Sequence, residues 1–228
     1  MIEEHRITIQ RTARYSTLGP TNGTIRQVWF VCHGYGQLAS GFLRNFEPLD
    51  DGSRLIVAPE GLFRFYLESA NTGQHADLVG ASWMTREDRE TEIRDYLSYP
   101  DALHDRVFSQ VDRSSARLFV LGFSQGAATA ARWVARNGSR ARADELILWG
   151  GLLPPDVDPD ADPPPFRDVR VTLVAGTADK YLDQGVIPEL RTRLASRGIA
   201  SRRASFDGGH RLDRKVLEEL AASQHPAS

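Results

Sequence analysis

Cysteine is nearly absent: the 228 residues include one, Cys32. A single thiol excludes an internal disulfide and any zinc site built on cysteines, and it fits a reducing compartment. Long apolar runs are missing as well. No stretch approaches the roughly 20 apolar residues that span a bilayer. The N-terminal MIEEHRITIQ carries acids where a signal peptide needs basic residues followed by an apolar core. Charge of one sign is also lacking, with 28 basic against 30 acidic residues and a net charge of -2. That balance provides no field to draw in nucleic acid or an anionic membrane. The expectation is a cytoplasmic protein with no nucleic-acid partner and no integral membrane association. It is expected to fold as one domain over residues 1–228, because no shift in composition divides the chain and its length suffices for a large core.

The most informative stretch is RLFVLGFSQG, Arg117 to Gly126. Leu118 to Leu121 has the length and composition of a strand buried on both faces. Gly122 and Gly126 flank Ser124 in a G-x-S-x-G pattern, and an alanine-rich helix follows at once, ended by Asn137-Gly138. This is the sequence form of a nucleophile elbow, in which a strained serine is lifted clear of the sheet and only glycines let the neighbouring chain pass so close.

The rest of the chain alternates strands with helices. Ile7 to Ile9 together with Arg11 to Tyr15 reads as a first strand, and the turn-rich LGPTNG, Leu18 to Gly23, returns it toward the buried strand Gln27 to Cys32 as a hairpin. A helix around Ala39 to Phe46 and a strand at Arg54 to Ala58 come next. The segment Leu62 to Thr85 reads as a long irregular connection, either a substrate mouth or a surface loop pinned by Phe63, Phe65 and Trp83. Arg86 to Phe108 has helical apolar spacing, with a break or kink expected at Pro100. Glu145 to Trp149, Val169 to Ala175 and Arg202 to Phe206 supply further strands, with helices around Leu190 to Ala195 and from Leu212 to Ala222. Strands and helices at this spacing predict an α/β fold with a mostly parallel sheet covered by helices on both faces.

Several chemistry-bearing residues fall just past strand ends. HGYGQ, His33 to Gln37, exposes backbone N–H groups suited to an anion or oxyanion. The rival dinucleotide reading of Gly34-x-Gly36 lacks its third glycine, since Gly41 lies five residues on instead of three. Ser124, Asp179 and His210 follow three different strands, in the chain order Ser, Asp, His. Serine becomes a nucleophile only with a base to take its proton, and the base needs a partner to fix its tautomer. Asp183 and Asp207 are the fallback acids. Cys32 reads as core and His33 as a residue that shapes its loop, while His5, His75, His104 and His225 read as surface. The aspartates of PPDVDPDADPPP have no regular calcium-ligand spacing, so that run reads as a surface loop, and no metal or cofactor is expected.

Taken together, HGYG, GFSQGA, GTAD, GGH, APEG and Trp83 resemble the phospholipase/carboxylesterase family of α/β-hydrolases, which includes acyl-protein thioesterases and small bacterial serine esterases. The resemblance spans nearly the whole chain, and GFSQG is its most specific piece. It implies the α/β-hydrolase fold with an antiparallel N-terminal strand, Ser124 as nucleophile, His210 as base and Asp179 as acid. It also implies an oxyanion hole at the backbone N–H groups of Tyr35 and Gln125, and a small-molecule ester as substrate. Leu38, Phe42, Phe63, Phe65, Trp83, Leu152 and Tyr181 are the candidates for an apolar acyl site, and several of them read equally as core. The chain departs from the family at Gln37, at Met84-Thr85 and at Lys180-Tyr181-Leu182; the last two bear on the acyl pocket and leave the reaction alone. A thioesterase or lysophospholipase on the same site, and a non-catalytic binding relative, are the competing readings. The oligomeric state is left open.

Overall fold

Strand β6, Arg117–Phe123, lies in the middle of a seven-stranded sheet in the computed structural model, which describes residues 1–21, 25–68, 75–136, 142–183 and 185–223. The strands in spatial order are β1 (Tyr15–Leu18), β3 (Arg54–Pro59), β2 (Gln27–Cys32), β6, β7 (Glu145–Trp149), β8 (Arg170–Gly176) and β9 (Ser201–Phe206). Every pairing is parallel except β1 with β3. Parallel strands need covered crossovers, and helices supply them.

Successive residues of each strand point to opposite faces and so build two apolar layers. Phe30, Leu118, Val120, Leu146 and Leu173 face one layer, with Leu97 of α2 (Arg89–Phe108), Trp133 of α3 (Gln125–Ala135) and Leu194 of α4 (Val186–Ser196) packed on it. Trp29, Phe119, Leu121, Ile147 and Trp149 face the other. There they meet Phe42 of α1 (Ala39–Leu43), Phe46 of the 3-10 segment Arg44–Leu49, and Leu217 of α5 (Arg214–Ala222). Trp29 lies flat on Phe119 across the β2–β6 ladder, with ring centroids 4.4 Å apart and planes 4° from parallel. Such stacked pairs stabilise by about 1 kcal/mol beyond their area.

Five sequence expectations change. The first strand is Tyr15–Leu18, whereas Ile7 and Ile9 lie exposed outside any strand. It pairs with β3 instead of forming a hairpin with β2, because β3 and β6 already occupy both edges of β2. The segment expected to be irregular is an antiparallel hairpin, β4 (Phe63–Glu68) with β5 (His75–Ser82). Its alternating F-R-F-Y-L was the available signal, and the polar SANTGQ between the strands obscured it. Helix α2 runs through Pro100 without a break; the lost N–H costs one helical bond, and the buried ring packs in exchange. His104 is no surface residue, since its ring packs against Phe108 at 4.5 Å and Phe30 at 6.4 Å. The turn residues Asn22 and Gly23, the helix stop Asn137-Gly138 and His225 lie outside the described residues. Among the described residues, no helix is long and apolar enough to cross a membrane.

Candidate active site

The carboxyl ends of β2, β6, β7, β8 and β9 meet at one rim, and the chain is tightest behind β6. Ser124 takes φ 54° and ψ -116°, a conformation that L residues rarely adopt. Its N–H donates to the Trp149 carbonyl at 2.8 Å, and helix α3 starts at the next residue. The glycines explain how the turn fits. A methyl carbon on Gly122 would fall 2.1 Å from the Gly126 carbonyl oxygen, and one on Gly126 would fall 2.2 Å from that of Cys32. Backbone cannot yield that far, so both positions exclude a side chain.

Asp179 and His210 stand on interlocked loops. Ala178 N–H donates to the Gly208 carbonyl at 2.8 Å, and Trp149 Nε1 holds the carbonyl of Arg211 at 2.9 Å. The Asp179 side chain is 1% exposed and that of His210 17%, with His210 Nδ1 to Asp179 Oδ2 at 2.8 Å. The other carboxylate oxygen, Oδ1, accepts the Tyr181 N–H at 2.9 Å. His210 lies against Phe123, the residue before the serine, with ring centroids 4.8 Å apart. Gly150 and Gly151 close the gap between the two halves. A methyl carbon at Gly150 would lie 2.9 Å from His210 Cε1, and one at Gly151 would lie 2.9 Å from the Ser124 carbonyl oxygen. The sequence-predicted serine, acid and base therefore stand around one glycine pair. No hydrogen bond joins Ser124 Oγ to His210 Nε2 in this structure, and unliganded sites of this type often tighten only with substrate. Asp183 caps Gly185 and Asp207 accepts from Thr177 Oγ1, so the fallback acids have other partners.

The HGYGQ loop is held from several sides. The Gly61 N–H donates to His33 Nε2 at 2.9 Å, so Nδ1 carries the proton and donates to the Gly34 carbonyl at 2.7 Å. Burial lowers the His33 pKa and keeps the ring neutral. Gln37 Oε1 accepts the Gly34 N–H, and Gly36 N–H pairs with Ala81 of the hairpin. Within the described residues, the N–H groups of Tyr35 and Gln125 donate to no protein acceptor. Nearby, Glu60 is fully buried. Burial pushes its pKa up, but bonds from Arg14, Arg64 and the Ala39 N–H outweigh that and hold it below the usual carboxylate range.

The acyl-site candidates separate into two groups. Phe42 is buried among Phe46 and Phe123, and Trp83 is buried with its Nε1 on the His33 carbonyl. Both are core, a correction that follows from their having no surface to offer a substrate. Leu38, Phe63, Phe65 and Leu152 are partly exposed, and Tyr181 is open to solvent. Phe65 stacks on Tyr35 at 5.0 Å, while Arg11 covers Phe63. One role escaped the sequence reading, which named Gln125 for its backbone N–H alone. The Gln125 side chain accepts from Trp83 N–H and donates to the Met84 carbonyl, which clamps the end of the hairpin to the elbow. Nothing in the sequence marked it except a polar residue at a helix start. In the aspartate-rich run, Asp156 binds Arg132, and Asp158 and Asp160 bind Arg193.

A nucleophile elbow on a parallel sheet, with an acid and an imidazole on neighbouring loops, defines the α/β-hydrolase class of fold, and the chain has that fold. It is similar to a carboxylesterase from Bacillus cereus, at TM-score 0.63 and 17% identity over 92% of either chain. It is likewise similar to acyl-protein thioesterase 2 from Zea mays, at TM-score 0.66 and 17% identity over 92% of this chain and 96% of that one. A carboxylesterase from Mesorhizobium loti aligns at TM-score 0.62 and 19% identity over 92% and 95%. No protein-family model matches the sequence. No curated protein matches it in sequence either.

Proposed function

We propose that the chain is a serine hydrolase that cleaves carboxylic esters of small or medium acyl chains through an acyl-enzyme. The observation that carries this reading is the 2.8 Å bond from His210 to Asp179, made by a ring packed against the residue preceding Ser124. Resemblance of the fold to carboxylesterases and to a thioesterase supports it.

Ser124 Oγ attacks the ester carbonyl as His210 Nε2 takes the hydroxyl proton. Negative charge gathers on the former carbonyl oxygen, where the Tyr35 and Gln125 N–H groups receive it. Removing one such donor typically costs about 10² to 10³ in rate. The tetrahedral adduct collapses, its C–O bond to the alcohol breaks, and the imidazolium protonates the departing oxygen. Water, deprotonated by His210, then attacks the acyl-serine, and the carboxylic acid leaves with Ser124 restored. Asp179 fixes the Nδ1–H tautomer and stabilises the imidazolium throughout.

Labelling with a fluorophosphonate tests the reading. The wild-type chain is expected to take up the probe and hydrolyse p-nitrophenyl esters, while Ser124→Ala, folded by circular dichroism, does neither. A wild-type protein that stays unlabelled, or a Ser124→Ala protein that still labels, overturns it. The maize neighbour gives the thioesterase reading its standing, and acyl thioesters of matched chain length separate the two.

A further inference from the structure

Tyr181 stands in the turn after Asp179, with its ring 4.9 Å from that of His210 and tilted by 56°. Its residue surface is 83% exposed. Full exposure usually means mobility, yet this turn is fixed on both sides. The Tyr181 N–H is held by Asp179 Oδ1 at 2.9 Å, and the next residue, Leu182, is buried in the core. The carboxylate that orients the imidazole through one oxygen thus positions the tyrosine through the other. Two other neighbours of the imidazole offer no free surface: Phe123 is buried, and Gly150 presents backbone. Tyr181 supplies the open aromatic surface beside it.

The chemistry of the site says what meets that surface. In acylation the departing oxygen collects its proton from His210 Nε2, so it lies within hydrogen-bond reach of the ring. The groups attached to that oxygen then lie beside the imidazole, next to Tyr181. The acyl chain, by contrast, extends from the carbon bonded to Ser124. Tyr35, whose N–H in the HGYGQ loop is a proposed oxyanion donor, has its ring stacked on Phe65. We infer that Tyr181 is a leaving-group recognition residue, and that it favours esters whose alcohol portion is a flat aromatic ring. This rests on the esterase reading above and assigns Tyr181 to the alcohol side instead of the acyl site. A ring leaving group gains an aromatic pair with an already ordered partner, so little side-chain entropy is lost on binding.

The experiment compares phenyl butyrate with hexafluoroisopropyl butyrate. The two share an acyl group and release alcohols of similar acidity, but only one leaving group is aromatic. Tyr181→Ala is expected to lose about three- to tenfold in kcat/KM on the phenyl ester and to stay within about twofold on the other. Tyr181→Phe keeps the ring and is expected to match wild type on both. Equal losses on both esters would mean that Tyr181 merely braces His210, and no loss on either would mean that it contacts no leaving group. Either result overturns the inference while the esterase reading stands. A wild-type chain that cleaves neither ester and takes no fluorophosphonate overturns both together.

Discussion

Gly150 offers the sharpest test of how the site is assembled. It sits at the end of β7 with φ +60°, and a methyl carbon there would lie 2.9 Å from His210 Cε1, 3.1 Å from Nδ1 and 3.4 Å from Asp179 Oδ2. Carbon atoms are comfortable at about 3.5 to 4.0 Å, so in Gly150→Ala the imidazole must retreat by roughly half an ångström or more. The left-handed backbone adds about 1 to 2 kcal/mol for any L side chain. Together these predict a stability loss of about 2 to 5 kcal/mol. Displacing the proposed general base on this scale predicts a fall in kcat of about 10- to 100-fold. Gly198→Ala separates the two contributions, because Gly198 has φ +71° and no heavy atom within 4 Å of the added carbon. It carries the backbone penalty alone and should retain wild-type kcat. Urea midpoints and kcat on a p-nitrophenyl ester, measured for both variants, give the comparison. A folded Gly150→Ala protein with wild-type kcat would refute the reasoning. So would a Gly198→Ala protein that loses as much activity, since the cause would then be a general loosening.

Two further outcomes follow from the same geometry. Asp179→Asn is expected to lower kcat by about 10⁴ through the wrong tautomer of His210, while Asp183→Asn and Asp207→Asn remain near wild type; a large loss at either alternative would reassign the acid. Glu60 has a folded-state pKa below its ordinary 4.5, so its stabilisation is complete above that value and is lost as pH falls through the folded one. The stability gap between wild type and Glu60→Gln, read from urea midpoints across acid pH, should narrow below about pH 4.5, and a gap that widens there would be contrary to the sign.

Much of the fold was legible because the strands announce themselves. Leu118 to Leu121 and Leu146 to Leu148 are buried on both faces, and such runs read as parallel strands without any knowledge of their neighbours. The failures were questions of partnership. Tyr15–Leu18 joined β3 because the edges of β2 were already taken, which no local pattern in LGPTNG reveals. Phe42 and Trp83 read equally well as pocket or core, since an aromatic side chain suits either, and burial alone separated them.

By itself the amino-acid sequence determined the chemistry on offer: a serine between two glycines that tolerate no side chain, an aspartate and a histidine past later strand ends, and two glycine-bearing loops. These are local properties, set by residue type and spacing along one stretch of chain. Only the tertiary structure decided which groups face one another. The Asp179–His210 bond spans 31 residues, Gly150 against His210 spans 60, and Tyr181 over the imidazole depends on where β8 and β9 lie side by side. Pairing across the sheet is fixed by the packing of both its faces at once, and that is a property of the whole fold.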